Sequence, residues 1–227
     1  PFLPTGQAVN IPLAGPANKQ GRTAGANAAL DLAEAGPEDP RRLRFKGVLG
    51  TGIVRACGMG AGGTGLNEKS AKAQGLAAAH LYTTGPSHAG YYPGAEPMLV
   101  KLTYAPESGR ILGAQLTGKA GIDKRLDILA TAIYAGLTVE DLEHLDLAYA
   151  PPFGAAKDVT ILAGFLASNA RRGSSPGITP HALFAELASE TPPLVIDVRT
   201  DREYLIAHFD QAINLPLEEL RERIQEI

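Results

Sequence analysis

Met98 to Tyr104 sets Met98, Val100, Leu102 and Tyr104 on one face of an extended segment and Leu99, Lys101 and Thr103 on the other. Alternation of this kind has the two-residue period of a strand with one buried face. Pro106-Glu107-Ser108-Gly109 supplies a turn, and Ile111 to Thr117 returns as the hairpin partner. An apolar sheet face needs a cover. Ile122 to Leu137 provides one, with Ile122, Leu126, Leu129, Ile133 and Leu137 forming a helical stripe. Phe45 to Cys57 and Leu76 to Thr83 read as further strands. Ala17 to Ala35 reads as an alanine-rich helix between Gly15-Pro16 and Gly36-Pro37, and Asn67 to Gly75 as a short one. Gly21 and Gly25 put small residues on one face of the first helix, open to close approach. Thr138 and Asp141 match a capping box, and Val159 to Ala170 is amphipathic with Leu162, Phe165 and Leu166 apolar. Strands and helices come in mixed order without a βαβ rhythm. The expected fold of residues 1–170 is therefore α+β, an antiparallel sheet covered by helices on one face.

Arg171-Arg-Gly-Ser-Ser-Pro-Gly177 reads as a linker. The pattern then changes. Thr179-Pro180 opens a helix from His181 to Ala188. Leu194 to Asp197 is an apolar strand closed by an acid, and Asp201–Ala207 and Leu217–Ile227 read as helices around a short strand, Ala212-Ile-Asn214. Residues 178–227 are expected to open an α/β domain whose sheet is incomplete.

A net charge of −3 with no basic run gives no electrostatic footprint for nucleic acid. No apolar stretch reaches the ~20 residues of a membrane helix. The single cysteine, Cys57, excludes an internal disulfide framework and fits a reducing compartment, the cytoplasm. The start at Pro1, without methionine, reads as a processed end or a piece of something longer.

Gly60-Ala-Gly62-Gly-Thr-Gly65 matches a dinucleotide fingerprint in form, but the acid required about twenty positions on is missing from Tyr82-Thr-Thr-Gly-Pro-Ser. A glycine-rich strand end or bulge is the preferred reading. The five histidines lack metal-ligand spacing, so no metal is expected, and Cys57 reads as a small buried hydrophobe in a strand. Tyr149-Ala-Pro-Pro-Phe153 reads as a stiff extended connector holding an aromatic at each end, because consecutive prolines fix φ and remove two donors. It is either a plain surface loop or an arm into a neighbour's pocket. Pro12-Leu-Ala-Gly-Pro-Ala-Asn-Lys-Gln-Gly-Arg22 brings an acid-free loop to a helix N-terminus, where unpaired amides face partial negative charge.

That last segment resembles the flavin-contacting helix of the coenzyme A-disulfide reductase group of flavin-dependent pyridine nucleotide-disulfide oxidoreductases. Similar stretches follow in the family's order: Gly50-Thr-Gly-Ile-Val, Thr64-Gly-Leu-Asn-Glu68, His88-Ala-Gly-Tyr-Tyr-Pro-Gly94, Gly121-Ile-Asp-Lys-Arg125 and Tyr149-Ala-Pro-Pro-Phe. The resemblance spans Pro12 to Asp158 and implies the C-terminal interface domain of a homodimer using FAD, NAD(P)H and coenzyme A disulfide, persulfide or polysulfide. It implies cofactor-binding roles for Pro12, for Leu13 and Ala14 through their amides, and for Phe153 near the partner's flavin. It implies catalytic roles for Tyr149 and one of Tyr91 or Tyr92, Tyr91 preferred, reaching toward the partner's cysteine, where a phenol donates to a departing thiolate. Ala56-Cys-Gly-Met-Gly-Ala-Gly-Gly departs from the bulkier family pattern.

Leu194-Val-Ile-Asp-Val-Arg199, Glu203-Tyr204, His208 and Ala212-Ile-Asn-Leu-Pro216 resemble a rhodanese domain. Its cysteine loop would lie beyond Ile227, so Asp197 and Arg199 are expected to support the fold. The resemblance implies a fragment of a reductase fused to the start of a rhodanese, silent by itself. A non-enzymatic dimerisation module and a fragment of an NADH oxidase are the alternatives.

Overall fold

A computed structural model describes all 227 residues, which divide into two compact units, Pro1–Gly177 and Ile178–Ile227. The first is built on a five-stranded sheet of β1 (Gly52–Ala56), β2 (Met59–Gly65), β3 (Ala79–Pro86), β4 (Pro97–Tyr104) and β5 (Ile111–Gly118). Its order is β1-β2-β5-β4-β3 and every neighbour is antiparallel. The helices are α1 (Ala14–Leu32), α2 (Glu68–Ala73), α3 (Ile122–Ala135), α4 (Val139–Glu143) and α5 (Val159–Arg172). α3 lies over β2 and β5, and α5 over β3 and β4. Met98, Val100, Leu102 and Tyr104 are all buried, as their alternation requires, against Ile122, Leu126, Leu129 and Ile133 of α3. Thr138 and Asp141 form the expected capping box.

Several elements differ from the sequence reading. β2 is a full strand. At Gly62 an added Cβ would lie 2.7 Å from a Leu126 methyl and 3.1 Å from the Gly52 carbonyl, so the glycines let α3 sit low on the sheet. Phe45–Cys57 is not one strand: β1 covers only Gly52–Ala56, and Cys57-Gly58 turns the chain into β2, both with positive φ. That is the signature of a two-residue hairpin turn, and Cys57 is exposed on it rather than buried. The strand expected from Leu76 begins at Ala79. α1 starts three residues early because Pro16, lacking an N–H, loses nothing in a first turn. The loop Glu38–Arg44 folds back on α1 through a reciprocal pair: the Asn27 amide donates to the Leu43 carbonyl and accepts from its N–H, both at 2.9 Å. In α5 the buried face is Ala163, Gly164, Ala167 and Ser168, not Leu162, Phe165 and Leu166, since only small residues fit against α4.

α5 also continues through Arg171 and Arg172, read above as linker. Arg171 donates to the carbonyls of Pro106 (3.0 Å) and Glu107 (2.8 Å) and pairs with Glu140, pinning the β4–β5 turn.

The second unit contains α6 (Pro180–Leu187), β6 (Val195–Asp197), α7 (Asp201–Ile206), β7 (Ala212–Asn214) and α8 (Leu220–Arg223), the last followed by a 3₁₀ turn instead of one long helix. β6 and β7 pair in parallel, linked through α7. Asp197 is held at about pKa 2 by hydrogen bonds from Arg199. Arg199 also donates to the Ala207 carbonyl at 2.7 Å, and Tyr204 to that of Ala212 at 2.9 Å. These polar groups hold the unit together. No helix of either unit is long and apolar enough to cross a membrane.

Candidate functional site

Two loops of the first unit build the site. Ser87 to Glu96 links β3 to β4 and is closed at its base: Ser87 N–H donates to the Glu96 carbonyl at 2.8 Å, and Glu96 N–H donates to Ser87 Oγ at 3.1 Å. The second loop carries Tyr149 to Phe153. It is a tight turn rather than an extended connector, since Phe153 N–H donates to the Ala150 carbonyl at 2.8 Å and Gly154 N–H to the same oxygen at 3.2 Å. A proline φ suits a turn as well as an extended chain, and the sequence argument weighed only the second. Ala89 N–H donates to the Pro151 carbonyl at 3.2 Å and joins the two loops.

The result is a pair of phenols. Tyr91 Oη lies 3.2 Å from Tyr149 Oη, although the residues are 58 positions apart. Tyr91 is 77% exposed, Tyr149 49% and Phe153 72%, so the cluster faces outward, where another molecule can meet it. The hydrogen bond to Tyr149 holds the Tyr91 proton above the ordinary phenol range. Tyr92 instead packs edge-on against His88, with ring centroids 5.7 Å apart. This distinguishes the adjacent tyrosines: Tyr91 joins Tyr149 and Tyr92 braces its own loop.

Below the turn lies an ion pair that the sequence reading missed. Arg125 on α3 donates to Asp158 at 2.7 and 3.0 Å, with side-chain exposures of 1% and 4%. Asp158 also accepts from Thr160 N–H at 3.0 Å and from the Thr160 hydroxyl, and so caps α5. Burial pushes its carboxyl up, but the bonds from Arg125 and Thr160 outweigh burial and hold it below its ordinary value. Lys124 Nζ is 3.5 Å from the carbonyls of both Ala148 and Phe153, bracketing the turn. One signal for Arg125 was in the sequence: it falls three residues after Ile122 and four before Leu129, within the buried stripe.

The start of α1 is a separate feature. No side chain caps it, and its first turn holds no acid. Leu13 N–H, expected above as a free amide, is already engaged with the Ile11 carbonyl at 2.8 Å, whereas the Ala14 and Gly15 amides have no protein partner. Pro12, Leu13 and Ala14 are exposed. An adjacent groove of about 530 Å³ is lined in part by Gly15, Pro16, Lys19 and Thr51. Neither tyrosine lines it. Cys57, on its hairpin tip, joins neither feature, and no cluster of three His, Cys, Asp or Glu side chains forms.

Residues 54–159 match the pyridine nucleotide-disulphide oxidoreductase dimerisation domain. This chain is 37% identical over 158 aligned residues to the NAD(P)H sulfur oxidoreductase (CoA-dependent) of Pyrococcus furiosus, covering 70% of this chain and 33% of that protein. The chain thus spans about a third of the length of the curated relatives it matches. Among solved structures, reduced Bacillus anthracis CoADR-RHD superimposes with a TM-score of 0.87 at 39% identity, over 100% of this chain and 39% of that one. The NAD-dependent persulfide reductase of A. fulgidus gives 0.82 at 36% identity, over 98% and 38%.

Proposed function

We propose that the chain is the interface-forming part of an FAD-dependent NAD(P)H oxidoreductase that reduces coenzyme A disulfide, or coenzyme A persulfide or polysulfide, as a cytoplasmic homodimer. The observation that carries the reading is the Tyr91–Tyr149 pair, two phenols hydrogen-bonded to each other and exposed on a dimerisation domain. A phenol that faces a partner subunit is placed to donate a proton to a thiolate leaving a reduced disulfide. In this reading Tyr149 is the donor, Tyr91 orients it and supplies the next proton, and Phe153 excludes water beside the partner's flavin. FAD, when bound, would supply the hydride-accepting and electron-carrying chemistry between NAD(P)H and a disulfide-reducing cysteine. The free Ala14 and Gly15 amides and the acid-free first turn of α1 fit the electron-rich edge of such a cofactor. Residues 178–227 are proposed as the N-terminal part of a rhodanese-like domain, on the parallel β6–β7 pair and the Asp197–Arg199 bonding that supports it.

Tyr149→Phe in the complete flavoprotein tests the reading by rapid mixing. Flavin reduction by NAD(P)H is expected to be unchanged, while reoxidation by coenzyme A disulfide slows about 10²-fold. Equal slowing of both steps would remove Tyr149 from proton donation.

A further inference from the structure

We propose that His88 is a positioning residue, a two-sided clamp that presents Tyr91 to Tyr149. This rests on the reading just given for the tyrosine pair and adds the part that sets its geometry. His88 is half-buried, and both ring nitrogens are engaged. Nδ1 is 3.2 Å from Ser87 Oγ and Nε2 is 3.2 Å from the Pro93 carbonyl. A carbonyl only accepts, so Nε2 carries the proton and Nδ1 accepts from the Ser87 hydroxyl. The Ser87 oxygen in turn accepts from Glu96 N–H at 3.1 Å.

One side chain therefore ties the entrance of the loop to Pro93, two residues beyond Tyr91. The imidazole also packs against Tyr92 in a T-shaped arrangement, with ring centroids 5.7 Å apart. Tyr91 lies between His88 and these two fixed neighbours. Its own side chain is 77% exposed, with the 3.2 Å bond to Tyr149 as its one hydrogen bond. With so little of the side chain covered, its aim depends on the backbone that carries it and on the bond to Tyr149. Two further ties start from Ala89, the residue after His88: its N–H donates to the Pro151 carbonyl at 3.2 Å, and its carbonyl accepts from Tyr92 N–H at 2.9 Å. Loss of the imidazole thus removes the ties at Pro93 and under Tyr92 together, while the Ser87–Glu96 bonds keep the base of the loop closed. A displacement of about 1 Å is enough to cost a reacting group much of its effect.

The test has two arms. In this chain, ring-labelled tyrosine NMR follows the Tyr91 phenol, assigned with Tyr91→Phe, through its alkaline titration. Wild-type Tyr91 is expected to titrate above an ordinary phenol, as its bond to Tyr149 dictates. His88→Ala and Tyr149→Phe should both bring it back toward the ordinary value. His88→Gln, which keeps a donor for Pro93, should restore most of the shift. Ser87→Ala, which removes the Nδ1 partner together with the acceptor of Glu96 N–H, provides a second variant if His88→Ala does not fold. An unchanged Tyr91 titration in a folded His88→Ala or Ser87→Ala chain overturns the clamp. In the complete flavoprotein, His88→Ala should slow reoxidation by coenzyme A disulfide about tenfold with flavin reduction intact, and His88→Gln should recover it. Released Tyr91 with full-speed reoxidation would uphold the clamp and overturn the tyrosine chemistry instead.

Discussion

At the scale of single residues, the site stands on a charge pair that never meets solvent. Arg125 and Asp158 are buried together, and Asp158 divides its oxygens between the guanidinium and the first turn of α5. Removing one partner leaves the other buried and unpaired, which costs about 3–5 kcal/mol. Arg125→Met and Asp158→Asn are each expected to lose that much in denaturant unfolding monitored on the first unit. The acid dependence has a definite sign. The folded-state pKa of Asp158 is depressed below 3.8. Its contribution is therefore full above pH 3.8, where the carboxyl is ionised in both states, and it is lost as pH falls through the lower folded value. Wild-type stability should drop below about pH 3.8, and Asp158→Asn should lack that part of the drop. A variant with the same acid slope as wild type would count against the pair. Composition and periodicity could not show this interaction: Arg125 is one charge in an apolar stripe, and its partner is 33 residues away.

At the scale of elements, sequence pattern succeeded where one residue type repeats against one surface and failed where backbone geometry or close approach decides. The alternation of β4 and the stripe of α3 were legible because each follows its own period through a continuous core. β2 was not: a strand whose core face is glycine has no apolar side chain to alternate, and its period is visible only as the space it leaves for Leu126. The Tyr149–Phe153 turn was misjudged because proline restricts φ without choosing ψ. α5 shows the same difficulty in a helix. An added Cβ at Gly164 would lie 2.8 Å from Leu142 Cβ, 3.0 Å from the Val139 carbonyl and 3.1 Å from Glu143 N. Those atoms belong to α4, which its capping box holds in place. Gly164→Ala gains about 1 kcal/mol of helix propensity and meets an overpacking cost of about 1–3 kcal/mol, so a net loss is expected. Gly21→Ala in α1, where nothing lies within 4 Å, meets no such cost and should raise helicity. Denaturation and far-UV circular dichroism of the two variants should therefore diverge in sign; a stabilised Gly164→Ala would mean that α4 yields.

At the scale of the whole molecule, the function proposed above casts the chain as support for a reaction. Its outward-facing phenols and its uncapped α1 both present groups to something outside the first unit. Its one cysteine sits on a hairpin tip, away from the tyrosine pair in sequence and in hydrogen bonding. Under the proposed function the reacting thiolate stands at the phenols, and a reactive cysteine in either unit would need an activating environment. Cys57 meets neither condition, since its hairpin turn joins two exposed strand ends, Ala56 and Met59. The chain by itself is therefore expected to give no turnover with NADH and coenzyme A disulfide, and none with thiosulfate and cyanide. In the complete flavoprotein, Cys57→Ser should leave disulfide reduction at the wild-type rate while removing one equivalent of thiol titrated by an aromatic disulfide reagent. Turnover by the chain alone, or a complete protein slowed by Cys57→Ser, would place the reacting sulfur on this hairpin and reverse the assignment of the phenols as donors to a thiolate supplied by a partner.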